Sequence, residues 1–332
     1  MTTPDSKTRP RVMEGAAELG AAPGTTLTVI GNFDGVHRGH QEVLRTSAAR
    51  AQALGLDPVV LTFDPHPSAV LGRGALPVLT TLERKLELVL RVDPALRVVV
   101  EPFTRELSQL APEEFASELL VERLGSRAVI VGQNFRFGRA RSGDLAKLVE
   151  LGKAAGFEAY PVTLAGDAGG AFSSTRIRAA LAEGDLALVR ALLGRPHSLS
   201  GEVVRGDGRG STIGVPTANL QGVNEALPPY GVYACVVDEL GERGPARLGQ
   251  GVCNVGLRPT VAAGFSIEVH LFDFSADLYG RRLRLHLLSR LREERRFSGL
   301  PELVAQIRRD IEEARAVTEV AAPSPDAGGA WY

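Results

Sequence analysis

The chain has 332 residues, and at roughly 150 residues per domain that length implies about two domains. Hydrophobic residues at 44% and charged residues at 23% exclude a wholly disordered, collagen-like or fibrous chain. The net charge of −1, from 38 Lys+Arg against 39 Asp+Glu, provides no global basic field to collect nucleic acid or anionic lipid. Neither is an expected partner, and any phosphate binding has to be local.

Cys235 and Cys253 are too few for a disulfide framework, and each sits in an apolar stretch (VYACVV, GQGVCNVG) that reads as strand, so reduced buried thiols are expected. No run approaches the roughly 18 apolar residues of a membrane span, and residues 1–20 lack the apolar core of a secretory leader. A cytoplasmic location is expected. Lysine occurs only as Lys7, Lys85, Lys147 and Lys153. The abundance of arginine is read as composition bias rather than as a site.

From Leu27 to Val162, β-rich runs alternate with helix-period segments: LTVIG then 39–54, VVLTF then 82–92, RVVV then 112–124, AVIVG then 143–155, and FEAYPV. That alternation predicts βαβ units on a parallel sheet. Pro112 with Glu113 and Glu114 behind it marks one helix start, and Ser142 precedes another.

The strand LTVI runs into Gly31-Asn32-Phe33-Asp34-Gly35-Val36-His37-Arg38-Gly39-His40, with a helix beginning near the end of the run. A glycine-rich turn between a parallel strand and a helix N-terminus aims backbone N–H groups and the positive end of the helix dipole at its ligand, which favours phosphate. His37 and His40 are three apart, so their imidazoles face the same way on a first helical turn, and Gly39 leaves the approach open. Two imidazole donors there suit the charge that develops on an α-phosphate under attack and on departing pyrophosphate. A pair of capping histidines without a ligand is the plainer alternative. Neither a Gly-x-Gly-x-x-Gly dinucleotide fingerprint nor a Gly-Lys-Ser/Thr P-loop accompanies this turn.

Two further segments follow strands at the carboxyl edge, where open α/β sheets bind ligands: Thr62-Phe63-Asp64-Pro65-His66-Pro67 and Gly132-Gln133-Asn134-Phe135-Arg136-Phe137-Gly138. Aromatic rings and the Asn134 amide suit a planar heterocycle, and composition alone fits a buried loop equally well. Phe172-Ser173-Ser174-Thr175-Arg176-Ile177-Arg178 then opens a helix, either as an N-cap or as a second phosphate cradle of hydroxyls and Arg178. A helix carrying Leu186, Val189, Leu192 and Leu193 ends at Gly194, and the domain boundary is expected within 183–200.

After Gly201 the pattern changes to short strands separated by Gly/Pro turns, with one amphipathic helix over 301–316, which predicts a small antiparallel barrel. In GEVVRGDGRGSTIGVPTANL, Gly206, Gly210 and Gly214 allow a loop whose N–H groups wrap a polyphosphate. Thr217 and Asn219 offer oxygen ligands acceptable to Mg²⁺, although Pro216-Thr217-Ala218-Asn219 alone reads more readily as a proline turn. Ile267, Val269 and Leu271 share one strand face and Glu268 and His270 the other. A carboxylate such as Glu268, able to accept a hydroxyl proton, is what phosphoryl transfer to an alcohol needs; His270 is read as structural. The tail AAPSPDAGGAWY is aperiodic and expected to be disordered.

The His-x-Gly-His and Ser/Thr/Arg elements resemble those of the nucleotidylyltransferase superfamily. With RGSTIGVPTAN, YGVYA, GLRPTV, IEVHLFDF, DLYG and LREERRF, the resemblance extends over about residues 11–316 to the bifunctional riboflavin kinase/FMN adenylyltransferases, the prokaryotic FAD synthetases. It implies a Rossmann-like α/β nucleotidylyltransferase domain over 1–185, a riboflavin kinase-like antiparallel β-barrel with a C-terminal helix over 186–317, and a tail over 318–332. It implies that Gly31, Asn32, Phe33, Asp34, His37, His40, Ser174, Thr175 and Arg178 bind ATP for adenylyl transfer, with His37 and His40 catalytic. Asp64, Asn134 and Arg292 fall on flavin-side positions. Gly206, Gly210, Gly214, Thr217 and Asn219 fall on the kinase ATP site, Thr217 and Asn219 on its Mg²⁺ ligands, and Glu268 on its base. The implied substrates are riboflavin, FMN and ATP, with FMN and FAD as products. Ser211, Val215 and Ala171 depart from residues common in the family (Arg, Phe and a basic residue). Rival expectations are a single-activity riboflavin kinase with a decayed adenylyltransferase site and a non-catalytic flavin- or nucleotide-binding regulator.

Overall fold

Every residue of the strand Thr26–Ile30 is buried, as a strand with neighbours on both sides and helices on both faces must be. The structure, a computed structural model, describes residues 10–72, 77–162, 165–206, 208, 210, 213–257 and 264–321. Ser211, the GLRPTV segment beyond Leu257, and the tail beyond Ala321 lie outside the described residues. The chain forms two units, Met1–Leu76 with Thr80–Phe172, and Pro77–Leu79 with Ser173–Tyr332.

The first unit is built on six parallel strands: β1 (Val12–Glu14), β2 (Thr26–Ile30), β3 (Asp57–Asp64), β4 (Arg97–Pro102), β5 (Ser126–Gly132) and β6 (Glu158–Val162). Their order is β1-β4-β3-β2-β5-β6, so the winding reverses between β2 and β5, opening a crevice at the carboxyl ends of those strands. Side chains alternate between the two cores. Leu27, Val29, Val60, Val98 and Ile130 meet α1 (Arg38–Leu54) and α3 (Leu82–Val92); a short α2 (Pro67–Val70) lies between these helices in sequence. Ile30, Leu61, Val99, Val129 and Val131 line the opposite face with Phe115, Leu120 and, from α6 (Leu145–Ala155), Leu148.

Three local features differ from the sequence expectation. β1 was not predicted, because three residues carry too little alternation to register. After α4 (Arg105–Gln109), the helix expected over 112–124 starts as α5 (Pro112–Glu114) but continues with π geometry over Phe115–Arg123. The wider turn lets Phe115, Leu119, Leu120 and Leu124 share one buried face. A small ribbon of β7 (Gly166–Asp167) and β8 (Gly170–Ala171) precedes Phe172.

In the second unit, α7 (Ser174–Glu183) is capped by the Ser173 side chain, and α8 (Leu186–Leu193) stops at Gly194 in the left-handed conformation. α8 packs on a closed six-stranded antiparallel barrel. Its strands are β9 (His197–Val204), β10 (Ala218–Gln221), β11 (Gly231–Gly241), β12 (Gly244–Leu257), β13 (Phe265–Leu271) and β14 (Arg282–Glu293), in the order β10-β13-β12-β11-β14-β9. Val232 and Ala234 face α9 (Leu300–Ala321), so the alternate residues Tyr233, Cys235 and Val237 turn into the barrel. Cys235 and Cys253 are buried free thiols, as expected. α9 runs past the expected end at Ala316, because Thr318 is fully buried and bonds Gln250 at 3.0 Å.

Candidate active sites

In the first unit the site begins where β2 ends. Gly31 has no side chain because a Cβ there would lie 3.0 Å from the Phe33 ring. Phe33 and Val36 hold positive φ angles of 49° and 37°, a conformation that costs of order 1–3 kcal/mol for such residues and persists only where surroundings enforce it. Both side chains are buried. Gln41 Nε2 donates to the Val36 carbonyl (2.9 Å), Gly35 N–H to Thr80 Oγ1 (3.1 Å), and Thr80 N–H to Asp34 Oδ1 (3.2 Å). Thr80 and Gln41 are supports the motif reading did not single out.

This bent loop delivers His37 to the N-cap of α1, where its Nδ1 accepts the His40 N–H at 3.3 Å. A nitrogen in that role is unprotonated, which places the proton of the neutral ring on Nε2. The two imidazoles stack with centroids 3.6 Å apart and 19° between planes, and Phe33 meets His40 edge-on at 5.2 Å. A Cβ on Gly39 would press on the His37 ring and on Phe172 Cβ, both at 3.2 Å. Asn32 accepts at its carbonyl from Thr62 Oγ1 (3.3 Å).

Asp64 is exposed at the end of β3, and Asn134 is exposed just after β5, both at the carboxyl edge. The aromatic residues beside Asn134 do not behave as a free stacking platform. Phe137 is 5% exposed, packs on Phe115 at 5.2 Å and stacks on Phe135 at 5.5 Å, so it belongs to the core. Ala171 is exposed on the β7–β8 ribbon.

Ser174, Thr175 and Arg178 occupy α7, in the second unit. The Arg178 guanidinium donates to the Pro77 carbonyl through Nε (3.3 Å) and a terminal nitrogen (3.1 Å).

In the barrel, strand register sets the second site. Asn219 on β10 pairs directly with Glu268 on β13, which pairs in turn with Asn254 on β12, so three polar side chains form a row across adjacent strands. Asn254 carries no motif signal in the sequence. The Glu268 carboxylate accepts from Ser266 Oγ at 3.1 Å and lies 3.4 Å from Thr217 Oγ1. His270 donates through Nδ1 to the Pro216 carbonyl (2.8 Å), pinning the turn that presents Thr217. Its structural reading agrees with this contact.

The glycine loop closes on the same residues. A Cβ on Gly206 would overlap the Asn219 amide, and one on Gly210 would overlap the Val215 carbonyl and approach Thr217 Oγ1 at 3.3 Å. Gly214 stands at φ 79°. Thr217, Pro216, Val203, Leu271, Phe274 and Tyr279 are among the residues lining a cavity of about 350 Å³. Burial pushes the Cys253 thiol well above its ordinary value, reinforced by Cys235 and the nearby Glu268 charge, so it stays neutral.

Arg292 is bound to the protein itself. Its Nε and a terminal nitrogen grip the buried Asp310 carboxylate at 2.8–3.0 Å, fastening α9 to β14. The remaining terminal nitrogen donates to the Glu293 carbonyl at 3.0 Å.

Among the described residues no group of three or more His, Cys, Asp or Glu side chains could hold a metal. Thr217 and Asn219 do fit a magnesium ion that takes its other ligands from water and nucleotide phosphates, the usual manner for that ion. No described helix is long and apolar enough to cross a membrane.

A family model described as FAD synthetase matches residues 21–176, and one described as riboflavin kinase matches residues 193–318. With a parallel-sheet unit and a closed barrel, they define a two-domain flavin-modifying transferase. Curated bifunctional riboflavin kinase/FMN adenylyltransferases from three bacteria align along most of this chain. The protein from Escherichia coli K12 is 42% identical over 311 residues, covering 92% of this chain and 97% of its own. That from Pseudomonas fluorescens is 39% identical, covering 90% and 94%, and that from Bacillus subtilis 37%, covering 87% and 91%. The chain belongs to the bifunctional riboflavin kinase/FMN adenylyltransferase family. A crystal structure described as a macrolide-efflux protein from Streptococcus pneumoniae superposes with a TM-score of 0.78 at 28% identity, covering 92% of this chain and 99% of its own.

Proposed function

We propose that the chain performs its family's two reactions in succession, with Glu268 as the base of the first and the His37–His40 pair as the phosphate-stabilising donors of the second. In the kinase step the riboflavin 5′-hydroxyl oxygen bonds to the γ-phosphorus of ATP, the bond from that phosphorus to the bridging oxygen breaks, and ADP leaves. Glu268 accepts the hydroxyl proton; Ser266 and Thr217 hold the carboxylate in place. Thr217 and Asn219 would hold Mg²⁺, which supplies charge neutralisation on the transferring phosphates. The cavity beside Thr217 suits the nucleoside end of ATP. Arg292, fastened to Asp310, fixes the base of the flavin-side segment that follows β14.

In the second step an FMN phosphate oxygen bonds to the α-phosphorus of ATP and pyrophosphate leaves, giving FAD. FMN phosphate is already anionic, so this step needs placement and charge stabilisation rather than a base. His37 and His40 provide donors at the N-terminus of α1, with Gly31, Asn32, Phe33 and Asp34 forming the loop beneath. Ser174, Thr175 and Arg178 serve the ATP phosphates, and Asp64 and Asn134 the flavin. A cytoplasmic location fits these soluble substrates.

The observation that carries the reading is the row in which strand register places Asn219 opposite Glu268, with Thr217 Oγ1 at 3.4 Å. Asn219 and Glu268, 49 residues apart in sequence, pair directly across adjacent strands, which supports proposing them as metal ligand and base. The test is a time course of purified protein with riboflavin, ATP and Mg²⁺, with products separated. FMN should rise before FAD, and pyrophosphate should accompany FAD; FMN alone would leave only the kinase.

A further inference from the structure

Lys85, in the first turn of α3, is 7% exposed, yet its ammonium makes no hydrogen bond or ion pair among the described residues. Burial pushes its pKa below the ordinary lysine value, and the charges of Asp34 and Asp64 pull it back up. Asp34 lies in the loop after β2, and Asp64 ends β3. Thr80, just before α3, is bonded to Gly35 and Asp34, and the Lys85 N–H donates to the Thr81 carbonyl, so Lys85 stands one turn from the ATP-side loop of the adenylyltransferase reading. The groups of ATP and FMN that react with one another are phosphates. A desolvated ammonium has three N–H donors, and anionic ligand oxygens would satisfy them.

We infer that Lys85 is a further substrate-binding residue of the first unit, taking a phosphate oxygen of ATP or of FMN. The inference rests on the adenylyltransferase reading of the His37–His40 loop. Lys85→Met and Lys85→Gln in the full chain should raise the KM for one of the two substrates in the conversion of FMN to FAD by about 10- to 100-fold, the worth of a charge-assisted hydrogen bond. A rise confined to ATP assigns the contact to its polyphosphate, and one confined to FMN to its monophosphate. Lys85→Arg, which keeps the charge, should recover part of the loss. If both KM values of a cooperatively unfolding Lys85→Met or Lys85→Gln protein stay within about twofold of wild type, the inference is wrong. Should neither variant fold, wild-type protein labelled with ¹³C at lysine Cε decides the matter, because the chain has only four lysines. The Lys85 resonance should move on adding pyrophosphate or FMN and not riboflavin; no movement with either phosphate overturns the inference. A parallel His40→Ala protein that still makes FAD at the wild-type rate would instead overturn the underlying reading of the site.

Discussion

In the proposed reactions Glu268 and His40 meet opposite electrostatic needs. The alcohol of riboflavin must lose a proton as it attacks, whereas the phosphate of FMN has none to lose and must be brought against another anion. His40→Ala should therefore let FMN accumulate while FAD formation falls by about 10²–10³-fold, the usual loss for one preorganised donor at a charged transition state. Chromatographic rates of FAD formation from supplied FMN check this. Glu268→Gln keeps the shape and removes the base. Riboflavin phosphorylation should drop by about 10²–10⁴-fold, with FMN-to-FAD conversion intact. Both residues stand in motifs, which is how the sequence singles them out. It does not single out Asn254, Ser266, Thr80 or Lys85, because their places depend on strand register and on packing between distant segments. The sequence leaves Phe137 open for a related reason: an aromatic residue in a loop motif looks the same whether it faces a ligand or Phe115.

At the scale of elements, the glycine loop before β10 is shaped by contact rather than by turn preference alone. A Cβ on Gly206 overlaps the Asn219 amide, so Gly206→Ala should displace Asn219 and raise the kinase KM for ATP by about tenfold, with FMN adenylylation unchanged. An unaltered kinase KM would mean that Asn219 does not serve the nucleotide. Element types were readable wherever periodicity was sustained: α3 spans the expected Leu82–Val92, and Ile267, Val269 and Leu271 are buried in alternation with Glu268 and His270. Reading was poorer where tertiary contacts dictate the geometry. The π turn over Phe115–Arg123 follows from which side chains the core accepts, and the last turn of α9 follows from the buried contact of Thr318 with Gln250.

At the scale of the whole molecule, the second unit contains more than the barrel. α8 inserts Val189, Leu192 and Leu193 as buried side chains, and Ala226 N–H donates to the Val78 carbonyl at 2.7 Å. A fragment 173–321 should unfold cooperatively and phosphorylate riboflavin without the first unit. It should melt below the intact chain, having lost Val78. A fragment 194–321 should be less stable still, since each buried Val or Leu side chain contributes about 1.5–3 kcal/mol. Thermal melts and kinase assays of both fragments check the order; a folded but inactive 173–321 would mean that the kinase site needs the first unit. The composition change near residue 200 made the two-part organisation legible. The inclusion of Pro77–Leu79 in the second unit was not, because a three-residue excursion from distant sequence carries no pattern of its own.

If the two proposed sites act independently, FMN released by one can reach the other through solution. Mixing two full-length variants measures this: His40→Ala should retain the kinase and Glu268→Gln the adenylyltransferase. Given riboflavin, ATP and Mg²⁺, neither variant alone should produce more than trace FAD, and the equimolar mixture should produce it after an FMN lag. A mixture that makes no FAD, although each variant keeps its one expected activity, would show that the sites do not exchange FMN through solution, and either variant losing both activities while remaining folded would show that they are not independent.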